Sequence, residues 1–140
     1  MGSNVRLRRC ERSDLDEVLD LWRRAGIVPR PTDHVEALET RLAFDDGLFL
    51  IADDGGPVVG SLIGAWDGWR GGLYRLAVDP EYRRRGIATA LVREVERRMR
   101  ELGATRVPIR VFHEEAGAVE FWTSVGYSAD PAEAIYVKDL

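Results

Sequence analysis

The sequence predicts a single α/β (α+β) domain in which a mixed, mostly antiparallel sheet of about six or seven strands is flanked by about four helices. The 140-residue chain, with 45% hydrophobic residues, has the size and apolar content of one globular core. Its patterns follow the order strand, two helices, three strands, helix, strand, helix, strand, which is not the strict alternation of a doubly wound fold. We therefore place the domain at residues 5–140.

The amino-terminal part predicts a strand followed by two helices. Val5-Arg6-Leu7-Arg8-Arg9-Cys10 alternates apolar and polar residues, as a half-buried strand does. Ser13-Asp14-Leu15-Asp16 is typical of a helix N-cap, and the helical spacing ends at the glycine C-cap signal Ala25-Gly26. After a proline-containing break, a second helical pattern covers about residues 34–44.

The middle of the chain predicts three strands and the longest helix. Strand-like runs cover residues 48–52 and 58–66, and Asp53-Asp54-Gly55-Gly56-Pro57 between them is a turn signal. A third run, residues 73–78, follows a glycine-rich connection. Residues 86–102 repeat apolar side chains at helical spacing, with arginine and glutamate between them.

The carboxyl-terminal part predicts a strand, a helix and a final pair of strands. Apolar residues alternate over residues 107–111, but Pro108 cannot donate a ladder hydrogen bond and so favours an edge or a separated position. A helix over about residues 115–125 and strands at residues 127–129 and 135–137 complete the order.

The composition argues against several classes of function. Cys10 is the single cysteine, and His34 and His113 are the only histidines, so the sequence offers neither an internal disulfide nor a zinc cluster, and we predict no metal. A formal net charge of -4 argues against nucleic acid as the main partner. No run approaches the roughly 20 apolar residues that cross a bilayer, and the first residues lack a signal-peptide layout. We expect a cytoplasmic protein with no membrane partner.

The clearest chemical signal is the loop that joins residues 73–78 to the long helix. The first N–H groups of a helix have no intrahelical partner and lie at the positive end of its dipole, so they favour phosphate or pyrophosphate. Gly86 and Ala88 keep the backbone open to a ligand, and the arginines before them can add charge-assisted bonds. The Gly-Lys-Ser/Thr ending of triphosphate loops and the three spaced glycines of dinucleotide binders are both missing.

In this context the sequence resembles the GNAT superfamily of N-acetyltransferases. Motif A of that family, Gln/Arg-x-x-Gly-x-Gly/Ala after a strand ending in Val-x-Pro, is matched by Val78-Asp79-Pro80 and Arg83-x-x-Gly86-x-Ala88. Residues 116–127, which end in Gly126-Tyr127, look like the motif B helix. Together with the element order, the resemblance covers essentially the whole chain.

The resemblance implies a GNAT-type fold with a splayed sheet, and a direct transfer of acetyl from acetyl-CoA to a primary amine of a small molecule or protein. It implies that the strand before the loop offers backbone groups to the pantetheine arm, with the Val78 amide polarising the thioester carbonyl, and that the loop holds the pyrophosphate. Dimers are common among similar proteins, so a homodimer is one expectation. The implied cofactor contacts are Leu76, Ala77, Val78, Arg83, Arg84, Arg85, Gly86, Ile87, Ala88 and Thr89.

Two positions depart from the family pattern. Many relatives have an asparagine at the start of the last helix and a tyrosine within it that serves as general acid, whereas this chain has Glu115 and Trp122. An indole N–H donates hydrogen bonds but is not an acid near neutral pH. We place Glu115 and Trp122 among the cofactor contacts, and leave protonation of the thiolate to water or another residue.

The catalytic base and the acceptor pocket rest on weaker signals. Glu81, beside the cofactor loop, is the base we name, and Asp67, Glu114 and Glu115 are alternatives. Asp67-Gly68-Trp69-Arg70 with Trp22 would form an acceptor pocket in which the aromatics stack and Asp67 attracts a cation. An exposed turn and a core tryptophan are the competing interpretation.

Two other functions remain open from sequence alone. The missing tyrosine and the uncertain base also fit a non-catalytic acyl-CoA-binding regulatory module. A third interpretation takes the arginines of the loop and helix as a nucleic-acid patch, which the net negative charge disfavours. These arginines are Arg83, Arg84, Arg85, Arg97, Arg98 and Arg100.

Overall fold

The computed structural model describes residues 4–44 and 46–140; residues 1–3, on which the signal-peptide interpretation partly depends, and residue 45 lie outside them. The chain divides into two compact units, of which one ends at Arg110 and the other runs from Val111 to Leu140. The first unit contains the sheet and three α-helices, and the second contains one α-helix. The single domain at residues 5–140 stays a prediction.

The sheet of the first unit has four strands in the order β1-β2-β3-β4, and each neighbouring pair is antiparallel. The alternation of apolar and polar residues in the amino-terminal segment does produce a strand, paired with the next strand from Val5 opposite Asp54 to Arg9 opposite Leu50. Because β4 is last in the order, it is an edge strand of this sheet. The four strands are β1 Val5–Arg9, β2 Phe49–Asp54, β3 Val58–Trp66 and β4 Gly71–Val78.

The α-helices form where helical spacing of apolar residues was found. One difference is the start of the first helix, where the N-cap residue is Asp14 and not Ser13, and makes no side-chain capping bond to α1. A capping box between Glu11 and Asp14 closes a short 3-10 turn over Arg12–Asp14 and places Ser13 inside it. The four α-helices are α1 Leu15–Arg24, α2 Val35–Ala43, α3 Ile87–Glu101 and α4 Ala118–Ser124.

The helices of the first unit cover opposite faces of the sheet. Ile51 belongs to the buried cluster that contains the apolar residues of α1 and Leu38 of α2. Ala52, the next residue, lies on the other face beside Gly60, where the side chain of Leu91 from α3 also reaches. The sheet is therefore buried on both faces, with α1 and α2 on one side and α3 on the other.

The number of strands is the part of the fold prediction that is wrong, since the described residues form four and not six or seven. Residues 107–111 make a single parallel bridge, Ile109 to Leu73, in which the Leu73 N–H donates to the Pro108 carbonyl oxygen at 3.1 Å. Pro108 has no N–H to return, so the ladder does not extend. The mixed α and β fold with a mostly antiparallel sheet and four helices is confirmed.

The second unit contains α4 but neither of the predicted final strands at residues 127–129 and 135–137. A turn interrupts this segment, because the Ala132 N–H donates to the Asp130 carboxylate at 3.0 Å. Ile135, Tyr136 and Val137 are 60%, 92% and 81% exposed. A short run of apolar residues without a neighbouring backbone ladder does not make a strand.

Among the described residues, no helix has the length and apolar composition of a membrane span. Nor do these residues bring three or more His, Cys, Asp or Glu side chains together in a group that could hold a metal ion.

Candidate active site

The loop after β4 is fixed to the rest of the first unit by its first residues. Asp79 accepts a hydrogen bond from the Glu81 N–H at 2.9 Å and caps the 3-10 turn Pro80–Tyr82. The guanidinium of Arg24, in the last turn of α1, pairs with the Asp79 carboxylate at 3.1 Å. The path from β4 into the predicted cofactor loop is thus held by a contact from α1.

The three consecutive arginines of the loop have different environments. Arg83 donates to the carbonyl oxygen of Ala25 at 3.3 Å, and Arg85 stacks over the ring of Tyr82 at 4.7 Å. Arg84 is exposed and adopts a left-handed conformation with φ +64°. Two of these cations therefore also stabilise the loop, and the third faces solvent.

Tyr82 ties this loop to the β2–β3 turn. Its hydroxyl donates to the carboxylate of Asp54. That hydrogen bond, with some burial, raises the pKa of Tyr82 above its usual value. The phenol is therefore held protonated, as a donor that anchors the loop.

The start of α3 has the geometry of an anion site. Gly86 is the N-cap residue, with φ +79° and no side-chain capping bond, and the space where a Cβ would lie is open. The side chain of Ile87 is buried in the core, while Ala88 and Thr89 are half-buried. The amides of the first turn are thus left without a side-chain acceptor at the positive end of a 15-residue helix, an arrangement that suits a pyrophosphate.

The backbone of β4 offers hydrogen-bonding groups at the open edge of the sheet. The N–H of Asp79 donates to the Val59 carbonyl oxygen in β3 at 2.8 Å. Because successive N–H groups of a strand alternate in direction, the amide of Val78 points away from β3 toward the edge. The side chain of Ala77 belongs to the core and Leu76 is half-buried, so both would offer backbone groups and not side chains to a ligand.

The remaining predicted residues near the cofactor lie in different places. Glu81 is exposed on the 3-10 turn, three residues after Val78. In the second unit, Trp122 makes edge-to-face contacts with Phe121 and Tyr127 at 5.2 and 5.0 Å between ring centroids. Glu115 is exposed before α4. The roles of Glu81, Glu115 and Trp122 stay predictions.

Two of the predicted acceptor residues, Asp67 and Arg70, line a cleft of about 550 Å³ at the β3–β4 turn. One carboxylate oxygen of Asp67 accepts from the Arg70 and Trp69 amides at 2.7 and 2.8 Å, and these bonds lower the pKa of Asp67. Trp69 is 76% exposed, with Arg70 stacked on it at 4.7 Å. The cleft is lined by Arg41, Phe44, Asp46, Ala65, Trp66, Asp67, Arg70, Gly71 and Tyr74.

Trp22 is not among the residues that line this cleft. Its ring is 3% exposed within the core of the first unit, and its indole N–H donates to the hydroxyl of Ser61 at 2.8 Å. The structure thus brings Asp67, Trp69 and Arg70 together in one turn and places Trp22 in the core. An acceptor role for these four residues stays a prediction.

The chain matches the family model described as "Acetyltransferase (GNAT) family" over residues 15–127. The chain belongs to the GNAT acetyltransferase family. The resemblance seen in the two motifs is confirmed, and the protein is an acetyl-CoA-dependent N-acetyltransferase.

Relatives of this GNAT acetyltransferase match over nearly its whole length. It is 32% identical to an acetyltransferase of Sodalis glossinidius (strain morsitans) over 97% of this chain and 96% of that protein. The PaiA N-acetyltransferase of Thermoplasma acidophilum, solved in complex with coenzyme A, has a TM-score of 0.81 at 20% identity over 90% of this chain and 91% of that one. Ard1 of Thermoplasma volcanium has a TM-score of 0.80 at 19% identity, over 89% and 83%. The two solved structures share the fold.

Several residues that shape the site of this acetyltransferase were missed by sequence reasoning. Arg24 and Asp54 anchor the predicted cofactor loop, and Ser61 and Arg75 lie at an irregularity in the pairing of β3 with β4. Asp54 was interpreted only as part of the turn signal Asp53-Asp54-Gly55, so its contact with the loop was not expected. Nothing in the local sequence marks Arg24, Ser61 or Arg75 as part of the site. Each acts through a partner distant in the chain.

Proposed function

We propose that this acetyltransferase moves acetyl directly from acetyl-CoA to a primary amine, without an acetylated residue of its own. The observation that carries the proposal is the continuity of an open β4 edge with an uncapped start of α3. The only cysteine, Cys10, is 7% exposed, and its burial, followed by the charge of Asp14, raises the pKa of its thiol to about 12. Such a thiol is a poor nucleophile, which favours direct transfer.

The loop and the first turn of α3 would hold the pyrophosphate. Backbone N–H groups from Arg84 to Thr89 are arranged around the open left-handed turn at Gly86, and Arg84 is free to approach a phosphate from solvent. Charge-assisted bonds to phosphate are stronger than neutral ones. Arg83 and Arg85 would add positive potential from positions already set by their contacts with the fold.

The amide of Val78 would polarise the thioester carbonyl. Its N–H points out of the sheet edge, where a carbonyl oxygen of the bound donor can accept it. Removal of one preorganised donor of this kind costs other enzymes roughly 3 to 4 kcal/mol in transition-state stabilisation. Positioning the donor and the amine together would supply much of the remaining acceleration.

The amine must lose a proton before it attacks, which costs roughly 4 to 5 kcal/mol at pH 7 for a lysine-like pKa of about 10.4. We propose that Glu81 is the general base that accepts this proton. Since its carboxylate is exposed, it would accept the proton through a water molecule. Protonation of the departing thiolate, whose conjugate thiol has a pKa of about 8.5, needs no dedicated acid.

The acceptor would approach from the cleft at the β3–β4 turn. The Asp67 carboxylate is ionised at neutral pH, as aspartates ordinarily are, and its lowered pKa extends this to more acidic solutions, so its charge attracts a protonated amine. Trp69 offers an exposed ring to a cationic or apolar acceptor. Trp22, predicted from the sequence to line the same pocket, is buried and would contact the acceptor only if the core opened.

Neither of the competing functions is favoured. Family membership disfavours the non-catalytic module. In the proposed nucleic-acid patch, Arg97 is paired with Glu94 and Glu101, and Arg98 donates to the Gly47 carbonyl oxygen at 2.9 Å. Neutralised arginines are weak phosphate ligands. The cytoplasmic location and the homodimer remain predictions, and light scattering of the purified chain would test the second.

The test is a calorimetric titration with acetyl-CoA, followed by a thiol-release assay with polyamines, aminoglycosides and short peptides as acceptors. Binding with turnover is the expected result and would name the acceptor. Binding without turnover on a wide panel would favour the regulatory module. Absence of binding would refute the cofactor site.

A further inference from the structure

β4 contains a β-bulge, because it has one residue more than the part of β3 with which it pairs. Ala77 lies opposite Ser61 and Tyr74 lies opposite Ile63, so three residue steps on β4 match two on β3. Arg75, within the bulge, has φ +58°. Non-glycine residues rarely adopt this left-handed conformation, and it persists where surrounding contacts hold it.

The bulge is held from its backbone side by a buried pair of side chains. The hydroxyl of Ser61 donates to the carbonyl oxygen of Arg75 at 2.9 Å, and it accepts from the indole N–H of Trp22 at 2.8 Å. Ser61 is 0% exposed and Trp22 is 3% exposed. The chain of hydrogen bonds therefore runs from α1 through β3 to the bulge without a solvent-exposed member.

The side chain of Arg75 is held as well. Its guanidinium makes two bonds to the carboxylate of Asp33, at 2.9 and 3.0 Å, and lies 5.7 Å from the ring centroid of Trp22. Asp33 belongs to the connection between α1 and α2. Trp22 thus contacts the bulge twice, through Ser61 and through the guanidinium.

The bulge decides which way the amide of Val78 points. In a regular strand that kept Tyr74 opposite Ile63, Val78 would lie opposite Val59, and its N–H would donate to that residue's carbonyl oxygen. The extra residue moves Asp79 into that position, where its N–H makes the bond at 2.8 Å. Val78 therefore lies opposite Gly60, one residue away from its position in a regular strand, and its amide faces the open edge.

We propose that Ser61 and Trp22 are positioning residues for acetyl transfer, because they fix the bulge that turns the Val78 amide toward the donor carbonyl. The inference rests on the proposed function of Val78. Neither residue needs to touch acetyl-CoA or the amine, since both act through the carbonyl oxygen and side chain of Arg75.

The test compares Ser61→Ala with the wild type in steady-state kinetics and in calorimetric titration with CoA. The substitution removes one oxygen and adds no atom, so the bulge loses its hydroxyl donor while the core keeps its volume. We expect kcat to fall roughly tenfold or more, with the Kd for CoA within about threefold of wild type, because the pyrophosphate site is built on another segment. Thr40→Ala is the matched control, since it removes an exposed hydroxyl that donates to the Glu36 carbonyl oxygen on α2.

A second variant separates positioning from simple loss of stability. Glycine adopts positive φ freely, so Ser61→Ala combined with Arg75→Gly should recover part of the lost kcat even though it removes further contacts. Ser61→Cys, with a weaker donor of similar size, should lie between wild type and Ser61→Ala. Thermal unfolding checks that each variant is folded.

The possible outcomes are distinct. An active wild type with an unchanged kcat in Ser61→Ala, or a parallel loss of kcat and CoA affinity, overturns this inference and leaves the proposed function intact. Loss of fold in both Ser61 variants also overturns it, because the hydroxyl would then serve the fold alone. A wild type that binds no CoA refutes the proposed function itself, and the inference with it.

Discussion

Gly86 combines two properties that a phosphate site needs at one residue. Its φ of +79° is accessible to glycine without strain, and no atom lies within 4 Å of the place where a Cβ would be. The first property closes the turn into α3, and the second leaves room for a ligand against the backbone. A side chain at this position would extend into the space proposed for the pyrophosphate and would make no contact with the rest of the fold.

We expect Gly86→Asp to weaken CoA binding at least tenfold more than Gly86→Asn. The two side chains have similar size, and both tolerate left-handed backbone better than most, so their difference isolates a negative charge at the pyrophosphate. Calorimetric titration measures both affinities, and thermal unfolding should show similar stability. Equal affinities for the two variants would contradict a phosphate site at this turn.

A second prediction for a single residue concerns the reactivity of the Cys10 thiol. Because burial is the main cause that raises the pKa of its thiol to about 12, we expect the native protein not to react with a disulfide reagent at pH 8 on the time scale of an activity assay. One equivalent should react after unfolding in guanidinium. Rapid modification of the folded chain would show that Cys10 is accessible.

The residues of the proposed cofactor loop could be named from the sequence because their motif is local. Arg83, Gly86 and Ala88 are close in the chain, and a helix start needs only its own backbone to attract an anion. Ser61 and Arg75 could not be found in this way. The left-handed conformation of Arg75 depends on contacts with Trp22 and Asp33, which lie more than 40 residues earlier in the sequence.

At the scale of elements, the position of α3 depends on two glycines of β3. A Cβ on Gly64 would lie 2.6 Å from Val95 Cγ1, and a Cβ on Gly60 would lie 3.1 Å from Ile87 Cγ2. The absence of side chains at these points lets the helix pack closely on the strand. This contact places the first turn of α3 beside the end of β4.

We expect Gly64→Ala to destabilise the protein by about 1 to 3 kcal/mol, because it overpacks a filled core. Gly60→Ala should cost less, since its closest contacts are 3.1–3.2 Å and neighbouring side chains can move by a few tenths of an ångström. Urea unfolding of both variants gives the two values. The reverse order would mean that α3 can shift away from Gly64 but not from Gly60.

The elements that were predicted correctly from the sequence are those whose apolar side chains are buried against another element. The helix predicted at residues 86–102 is observed as Ile87–Glu101, with Leu91, Val92, Val95 and Met99 in the core. The predicted strand at residues 135–137 has equally apolar side chains, but they are exposed. An apolar segment of this kind has the composition of a strand, but a strand also requires a neighbouring backbone with which to pair.

At the scale of the whole molecule, the amino-terminal strand is fixed by buried charges. Hydrogen bonds from Arg8, at 2.9 Å, lower the pKa of Asp14. Burial acts to raise the pKa of Asp53, which is 2% exposed, but hydrogen bonds from Arg8 and Arg6 outweigh it and the pKa is lowered. These ion pairs join β1, β2 and the start of α1.

We expect the stability of the protein to fall in acid because of these carboxylates. Since both pKa values are lower in the folded state, their contribution is fully present above the ordinary aspartate pKa of 3.8 and is lost as the pH falls through the folded values. The free energy of unfolding should decrease below about pH 4, and Asp53→Asn should show a smaller decrease from a lower starting stability. Glu114→Gln, at an exposed carboxylate, is the control, and an Asp53→Asn profile parallel to wild type would contradict the assignment.

The topology also indicates the order in which the strands and helices assemble during folding. β2, β3 and β4 follow one another with short turns, whereas β1 reaches β2 only across the segment that contains α1 and α2, with Val5 opposite Asp54. Closing the longer loop costs more entropy, so we expect β2, β3, β4 and α3 to assemble early, and β1 and Trp22 to dock late. If these segments have the proposed roles, a newly synthesised chain would form its phosphate-binding turn before Trp22 fixes the Val78 amide, and it would bind cofactor before it could catalyse transfer.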